Sequence, residues 1–304
     1  RPVRQVAGEG IVRRRQTLCC RAVLRGIDVF LPVLDAHAHR KRLRLHGKAV
    51  FIKHPESIPR AVSDRKHGGL GVDHRAVRKD NAGQRSIFST EGFYSALKTD
   101  FSAELYTREQ HNQVFLITAG KGYIVTPRRV FNIKEVSVFV PDFDKETFTF
   151  HCAADAKETM EIVHFVTELN DYDKTCLREA HMSLPRFRGV SEAWHYKEDF
   201  TGADIQQMMM LEHRNLGRLS MGANFGTGPN YIGQHIHNEL AQWYFPLPGS
   251  DFIYTAGGEE VHMTGGDLSF TPTGFWHGSK VEAGKKCDYI WFEMCIDGYP
   301  GEIK

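Results

Sequence analysis

A chain of 304 residues with 41% hydrophobic and 25% charged residues is long enough to bury a sizeable core and has the texture of a globular protein. No apolar run approaches the ~18 residues that a membrane-spanning helix needs, which argues against a membrane protein. The net charge of +2 conceals an asymmetry: residues 1–90 hold 20 Lys and Arg against 7 Asp and Glu, and residues 91–304 hold 19 against 30.

In chain order, residues 1–90 come first. Stretches such as GEGIVRRRQTLCCRAVLRG and HRKRLRLHGKAVFIKH are basic, weakly periodic and without clear caps. The expectation is a disordered basic segment or an extension that is not part of the fold. A tail that binds nucleic acid or acidic lipid and a transit-like peptide are the alternatives. Within it, Asp35, His37 and His39 stand in a pattern like the first strand of a metal-dependent amidohydrolase. That reading requires alternating strands and helices downstream, and they do not follow. Six cysteines, at 19, 20, 152, 176, 287 and 295, form no CxxC pair and no disulfide framework. Reduced thiols, and with no secretory leader pattern a cytoplasmic protein, are the expectation.

From about residue 91 the texture changes. QVFLITAGKGYIV, SVFVPDF and TFTFHC are short β-rich runs broken by Gly, Pro and Asp, the pattern of strands joined by turns. Residues 171–185 read as a linker, and GADIQQMMMLEHRN (202–215) has helical spacing. β-rich runs then resume: GRLSMGANF, GQHIHNELAQWYFPLPG, DFIYTAGGEEVHM, DLSFTPTG and CDYIWFEMC. Many short strands at this spacing indicate a sandwich or barrel. Two such blocks, 91–170 and 186–304, suggest an internal duplication and an all-β protein.

Two histidines stand one residue apart in the second block. Residues i and i+2 of a strand share a face, so His235 and His237 point together, and imidazole nitrogens suit Fe, Mn, Ni, Cu or Zn. The segment GGDLSFTPTGFWHGS offers a third ligand, His277.

These residues resemble the cupin family. Its first motif runs Gly, five residues, His-x-His, three or four residues, Glu, six residues, Gly. Here His235 and His237 match the pair, Gln242 stands in the Glu position and Gly249 closes the motif, while Gly228 precedes the leading position by one residue. The second motif, Gly, five residues, Pro-x-Gly, two residues, His, is met in full by Gly266, Pro272, Gly274 and His277. The resemblance implies two cupin-type β-barrels (double-stranded β-helix or jelly-roll) in tandem. It also implies a divalent transition metal held by His235, His237 and His277 with Gln242 fourth, Glu239 being the alternative by parity. Iron(II) is favoured, with Mn, Ni or Zn as alternatives. Aligned on Gly120 and Pro141, the first block places Tyr106, Arg108, Gln113 and Glu146 at the ligand positions, which implies a degenerate, metal-free barrel.

A Gln in place of the Glu makes the site resemble the three-His cupins, which include thiol, β-diketone and aromatic ring-cleaving dioxygenases. The implied function is a metal-dependent dioxygenase acting on a small acid or aromatic. The alternatives are a non-redox isomerase, lyase or hydrolase, such as an aminohydrolase-like bicupin, and a non-catalytic small-molecule-binding barrel. His262, Arg218 and Tyr244 are candidate catalytic groups, and Arg214, Arg218 and Lys280 candidate anion clamps. Trp243, Phe245, Phe275 and Trp276 crowd the motifs as core or as stacking surfaces. A homodimer with a small-molecule substrate and no nucleic-acid partner completes the expectation.

Overall fold

β-Branched and aromatic residues in runs of four to nine, stopped by glycine and proline, favour short strands over helices. The computed structural model describes residues 111–142, 146–155 and 159–299 in full. Upstream of these, backbone alone is described for segments that include Arg85–Leu97 and Ser102–Leu105. The basic segment 1–90, its Asp35, His37 and His39, and Tyr106 and Arg108 lie outside the residues described in full.

The fold is two antiparallel barrels. In the first, Arg186–Gly189, Ser137–Val140, His111–Ala119, Met160–Glu168 and Arg85–Leu97 pair in that order. Val130–Ile133, Gly122–Val125, Phe148–Cys152 and Ser102–Leu105 form the facing sheet. In the second, one sheet runs Trp194–Tyr196, Gln206–Leu216, Leu219–Phe225, Tyr289–Cys295, Leu240–Pro246, Leu268–Thr271. Asn230–His235, His277–Val281, Asp251–Ala256 and Glu259–Thr264 form its partner. The strand Arg186–Gly189 comes from the second sequence block yet closes the edge of the first barrel's sheet.

The two larger sheets pack face to face. Val114, Leu116, Val163 and Phe165 of the first interdigitate with Met208, Met221, Trp243, Phe245 and Phe292 of the second. Phe165 stacks on Phe292 at 4.0 Å and meets Phe245 edge-on at 5.2 Å. This leaves each barrel's other face as its private interior.

The helical spacing read in 202–215 does not produce a helix. Gln206–Leu216 is a strand, and Gln207 to Leu211 are all buried. Met208 and Met210 face the inter-barrel core while Met209 faces the second barrel's interior. A strand covered on both faces reads as a continuous apolar run, which periodicity alone does not separate from a buried helix. The described helix is Asp171–Glu179, in the stretch read as a linker. It opens on a capping box in which Asn170 and Asp173 each accept from the other's backbone N–H, at 2.8 and 3.0 Å, satisfying two otherwise orphaned donors.

The motif glycines behave as their spacing requires. Gly249, Gly266 and Gly274 sit at φ +84°, +84° and +77°, the left-handed region that a Cβ penalises. At Gly249 nothing lies within 4 Å of an added Cβ, so backbone conformation and not crowding demands glycine there.

Candidate metal centre

Strand Asn230–His235 delivers His235, the irregular residues just past its end deliver His237, and strand His277–Val281 delivers His277. His235 and His277 are direct cross-strand partners. The three rings lie 4.1, 5.0 and 5.4 Å apart between centroids. One ligand nitrogen from each falls within 4.8 Å of the others, and no other group of three or more His, Cys, Asp or Glu does so among the described residues.

Hydrogen bonds settle which nitrogen faces inward. His235 Nδ1 lies 2.9 Å from the Gly233 carbonyl, and His277 Nδ1 lies 2.8 Å from the Phe275 carbonyl. A carbonyl only accepts, so both Nδ1 atoms carry the proton and both Nε2 atoms present a lone pair, the arrangement that ligating histidines adopt. His277 Nε2 is buried with no hydrogen-bond partner. An orphaned buried acceptor is costly, and a cation shared with two other imidazoles satisfies it. Burial is the main force holding all three rings neutral. It lowers His235, takes His237 to about 4 with help from His235, and takes His277 to about 3 with help from both neighbours. Neutral imidazole is the ligand form. The donor set therefore fits a divalent transition metal.

Phe200 covers this centre. Its ring stacks on His235 at 4.0 Å and its carbonyl accepts from Gly233 N at 2.7 Å. A Cβ on Gly233 would meet that carbonyl at 2.8 Å, so glycine permits the close approach.

Gln242 is 4% exposed and faces the barrel interior. Its Oε1 accepts from the Tyr244 hydroxyl at 2.7 Å, and its Nε2 donates to Glu293. Glu293 is the group that sequence reasoning missed. It is 8% exposed, accepts from Ser220 Oγ at 3.1 Å, and is pushed up to about 7, chiefly by burial. One signal pointed to it: Glu293 is the lone acid in the apolar run YIWFEMC, on the same face as Tyr289 and Trp291, and a buried polar residue is the informative kind. Glu239 is not in the triad cluster; its carboxylate accepts from the backbone N of Asn238.

This architecture has solved counterparts. Vicilin from Corylus avellana superposes with a TM-score of 0.53 over 73% of this chain and 83% of its own, at 8% identity. Protein YlbA from E. coli gives 0.53 over 85% and 95%, at 13% identity. An IolB-like protein from Salmonella typhimurium gives 0.52 over 71% and 85%, at 13% identity. The fold is a tandem cupin. At these identities the likeness speaks for the cupin fold alone. No family model matches the sequence, and no curated protein does either.

Other expected groups stand elsewhere in the cupin frame. Arg218, expected as an anion clamp or catalytic group, is 5% exposed and committed to Asp173, at 2.8 Å from Nη2 and 3.0 Å from Nε to Oδ2. It ties the helix to the second barrel, with Nη2 also donating to the Glu168 carbonyl at 2.9 Å. His262 is exposed and paired with Asp251 at 2.6 Å, outside the triad cluster. Lys280 points to solvent, and Arg214 forms a turn at φ +69°. Tyr244 lies in the interior, its ring 6.1 Å from His277. Trp243 and Phe245 belong to the core between the barrels, while Trp276 is 56% exposed.

The first barrel is filled differently. Phe115, Phe139, Phe148 and Phe150 pack mutually at centroid distances of 5.0 to 6.2 Å. Gln113 pairs with His164 at 2.9 Å, and Glu146 is engaged by Arg128. Among the described residues, no helix is long and apolar enough to cross a membrane.

Proposed function

We propose that this cupin is a metal-dependent oxygenase that binds one divalent transition metal, iron(II) by preference, in its C-terminal barrel through His235, His237 and His277. The observation that carries the reading is the orphaned Nε2 of His277 facing two other neutral imidazoles. Three neutral ligands leave the ion's charge undiminished and its remaining positions open, with the Gln242 amide as a weak fourth donor. Bound there, the ion would supply Lewis-acid and redox chemistry.

The chain's own residues shape the rest. Phe200 shields the His235 side of the centre from water, and Tyr244 holds the Gln242 amide. Tyr244, Tyr254 and Tyr289 are buried together in the interior, and the ion's open positions would suit a small substrate bearing two oxygen or sulfur donors. Arg218 is spent on Asp173, so an acidic substrate would bind through the ion and not through that guanidinium. A second reading, a non-redox isomerase, lyase or hydrolase using Mn, Ni or Zn, is favoured by the Glu293 carboxyl, which stands one amide from the candidate fourth ligand and is held near neutrality, as a proton-transfer group requires.

Elemental analysis of the full chain should find about one transition metal, lost in His277→Ala. Oxygen uptake against catechols, gentisates, diketones and thiols then separates the two readings. Undiminished metal in His277→Ala refutes the triad. Turnover that persists without oxygen refutes the oxygenase.

A further inference from the structure

The centre has no anionic ligand among its histidines, yet a carboxyl group is buried in the same barrel, bonded to Gln242. Four interior-facing residues form one row across four neighbouring strands. Ser220 is paired with Glu293, Glu293 with Gln242, and Gln242 with Thr271. Direct cross-strand partners share a face and touch, and here they bond: Ser220 and Gln242 both donate to Glu293.

Among the described residues no lysine or arginine forms a salt bridge with Glu293. His213 Nε2 lies 3.9 Å from Oε2, and burial and the neighbouring Arg214 hold that imidazole toward its neutral form. A buried carboxylate without a cation is costly, which burial here expresses as a carboxyl raised toward its protonated form; a cation close by would favour the ionised form. Among the described residues, the group placed to receive a cation is the triad. The first barrel offers a comparison. Gln113 stands 129 residues upstream of Gln242, its direct cross-strand partner is Val166, and its amide bonds His164 on the same neighbouring strand at 2.9 Å. There the position directly opposite the glutamine is a valine, not a carboxylate, and the described residues of that barrel gather no histidine triad.

We propose that Glu293 is a positioning residue for the metal centre. It fixes the Gln242 amide with its nitrogen toward Glu293, and it supplies, one amide away from the ion, the negative charge that the family motif carries on residue 242. The carboxylate has moved across one strand. Amide orientation follows from donor chemistry: a carboxylate only accepts, so the NH₂ must face it, and the oxygen is left to accept from the Tyr244 hydroxyl. An amide that donates to a carboxylate is a more strongly polarised oxygen donor, and such outer partners tune metal affinity. This inference rests on the three-His centre proposed above.

The test uses the full chain and Co(II) as probe, read by equilibrium dialysis and by the visible absorption of the bound ion. Glu293→Gln keeps the shape and removes the charge. It should weaken Co(II) binding by about 10- to 100-fold and shift the absorption bands, with the thermal midpoint near wild type. Gln242→Glu/Glu293→Gln restores one carboxylate and one amide in exchanged places and should recover affinity to within about threefold of wild type on the same argument. If Glu293→Gln binds Co(II) as wild type does with unchanged bands, or the exchanged pair binds no better than Glu293→Gln, the proposal is overturned. Loss of binding in His277→Ala together with indifference to Glu293→Gln would sink only the role of Glu293. Undiminished binding in His277→Ala would sink the triad beneath it.

Discussion

Replacing Arg218 by methionine separates a structural tie from an anion clamp. The guanidinium is 5% exposed and its partner Asp173 is fully buried. Asp173 accepts from Arg218 Nε at 3.1 and 3.0 Å, from Nη2 at 2.8 Å and from the Arg218 backbone N at 2.8 Å. Nη2 also donates to the Glu168 carbonyl at 2.9 Å. Arg218→Met keeps the apolar stem and strands the carboxylate, and an unpaired buried charge of this kind costs about 3–5 kcal/mol. For a folded unit of this size each kcal/mol moves the midpoint by about 2–4 °C, so a fall of roughly 6–20 °C is expected. Arg218→Met/Asp173→Leu removes the stranded charge and should regain much of the loss, short of the ~1 kcal/mol that the helix cap contributes. Calorimetry and urea unfolding give the stabilities, and metal analysis of the folded fraction should still find one ion per chain. A stability within about 1 kcal/mol of wild type, joined to weaker binding of anionic substrates, would refute the structural role and return Arg218 to the site.

Two further outcomes follow from the geometry around the triad. His237 and His277 titrate near 6.5 when unfolded, but burial holds them to about 4 and about 3 when folded. The unfolded chain therefore binds protons first as pH falls, and the metal-free protein loses stability from pH 6.5 down toward 4, at up to ~1.4 kcal/mol per pH unit for each histidine. Urea unfolding in EDTA at pH 6.5, 5.5 and 4.5 should show a shallower slope for His237→Gln, and an identical slope would contradict the assignment. Phe200→Ala should leave about one metal per chain but speed its release to a chelator by about tenfold, equivalent to ~1.4 kcal/mol, since the ring stacked on His235 would be gone. Unchanged release would show that Phe200 covers nothing.

The triad was legible because its information is local. His235 and His237 lie one residue apart, and His277 follows Pro272 and Gly274 at a fixed interval, so one strand pairing brings all three together. The turns were legible for the same reason, since a positive φ leaves its mark as glycine at 249, 266 and 274. What escaped depends on partners distant in sequence. Arg218 looked like a free cation until Asp173, 45 residues away, occupied it. Glu293 gains its meaning only when strand Tyr289–Cys295 lies beside Leu240–Pro246. The methionine run misled because both faces of its strand are covered, which erases the polar alternation that marks a half-buried strand.

Why one barrel should hold an ion follows from what fills each. The position of Phe115 in the first barrel is that of Tyr244 in the second, 129 residues on. Phe115 packs among Phe139, Phe148 and Phe150, whereas Tyr244 stands against Tyr254 and Tyr289, at 5.0 and 4.9 Å. A hydrocarbon interior gives a charge nothing to replace its water, and the cost of burying one there is prohibitive. In the second barrel the hydroxyls are themselves bonded, Tyr254 with Thr271 at 2.6 Å, Asn224 to Tyr289 at 2.6 Å and Tyr244 to Gln242 at 2.7 Å. Such a network orients fixed dipoles around the centre and stiffens it. Adding three histidines to the first barrel would therefore not by itself make a metal site there. The surrounding row would have to change with them, from phenylalanine to tyrosine at 115 and from valine to glutamate at 166, the direct partner of Gln113.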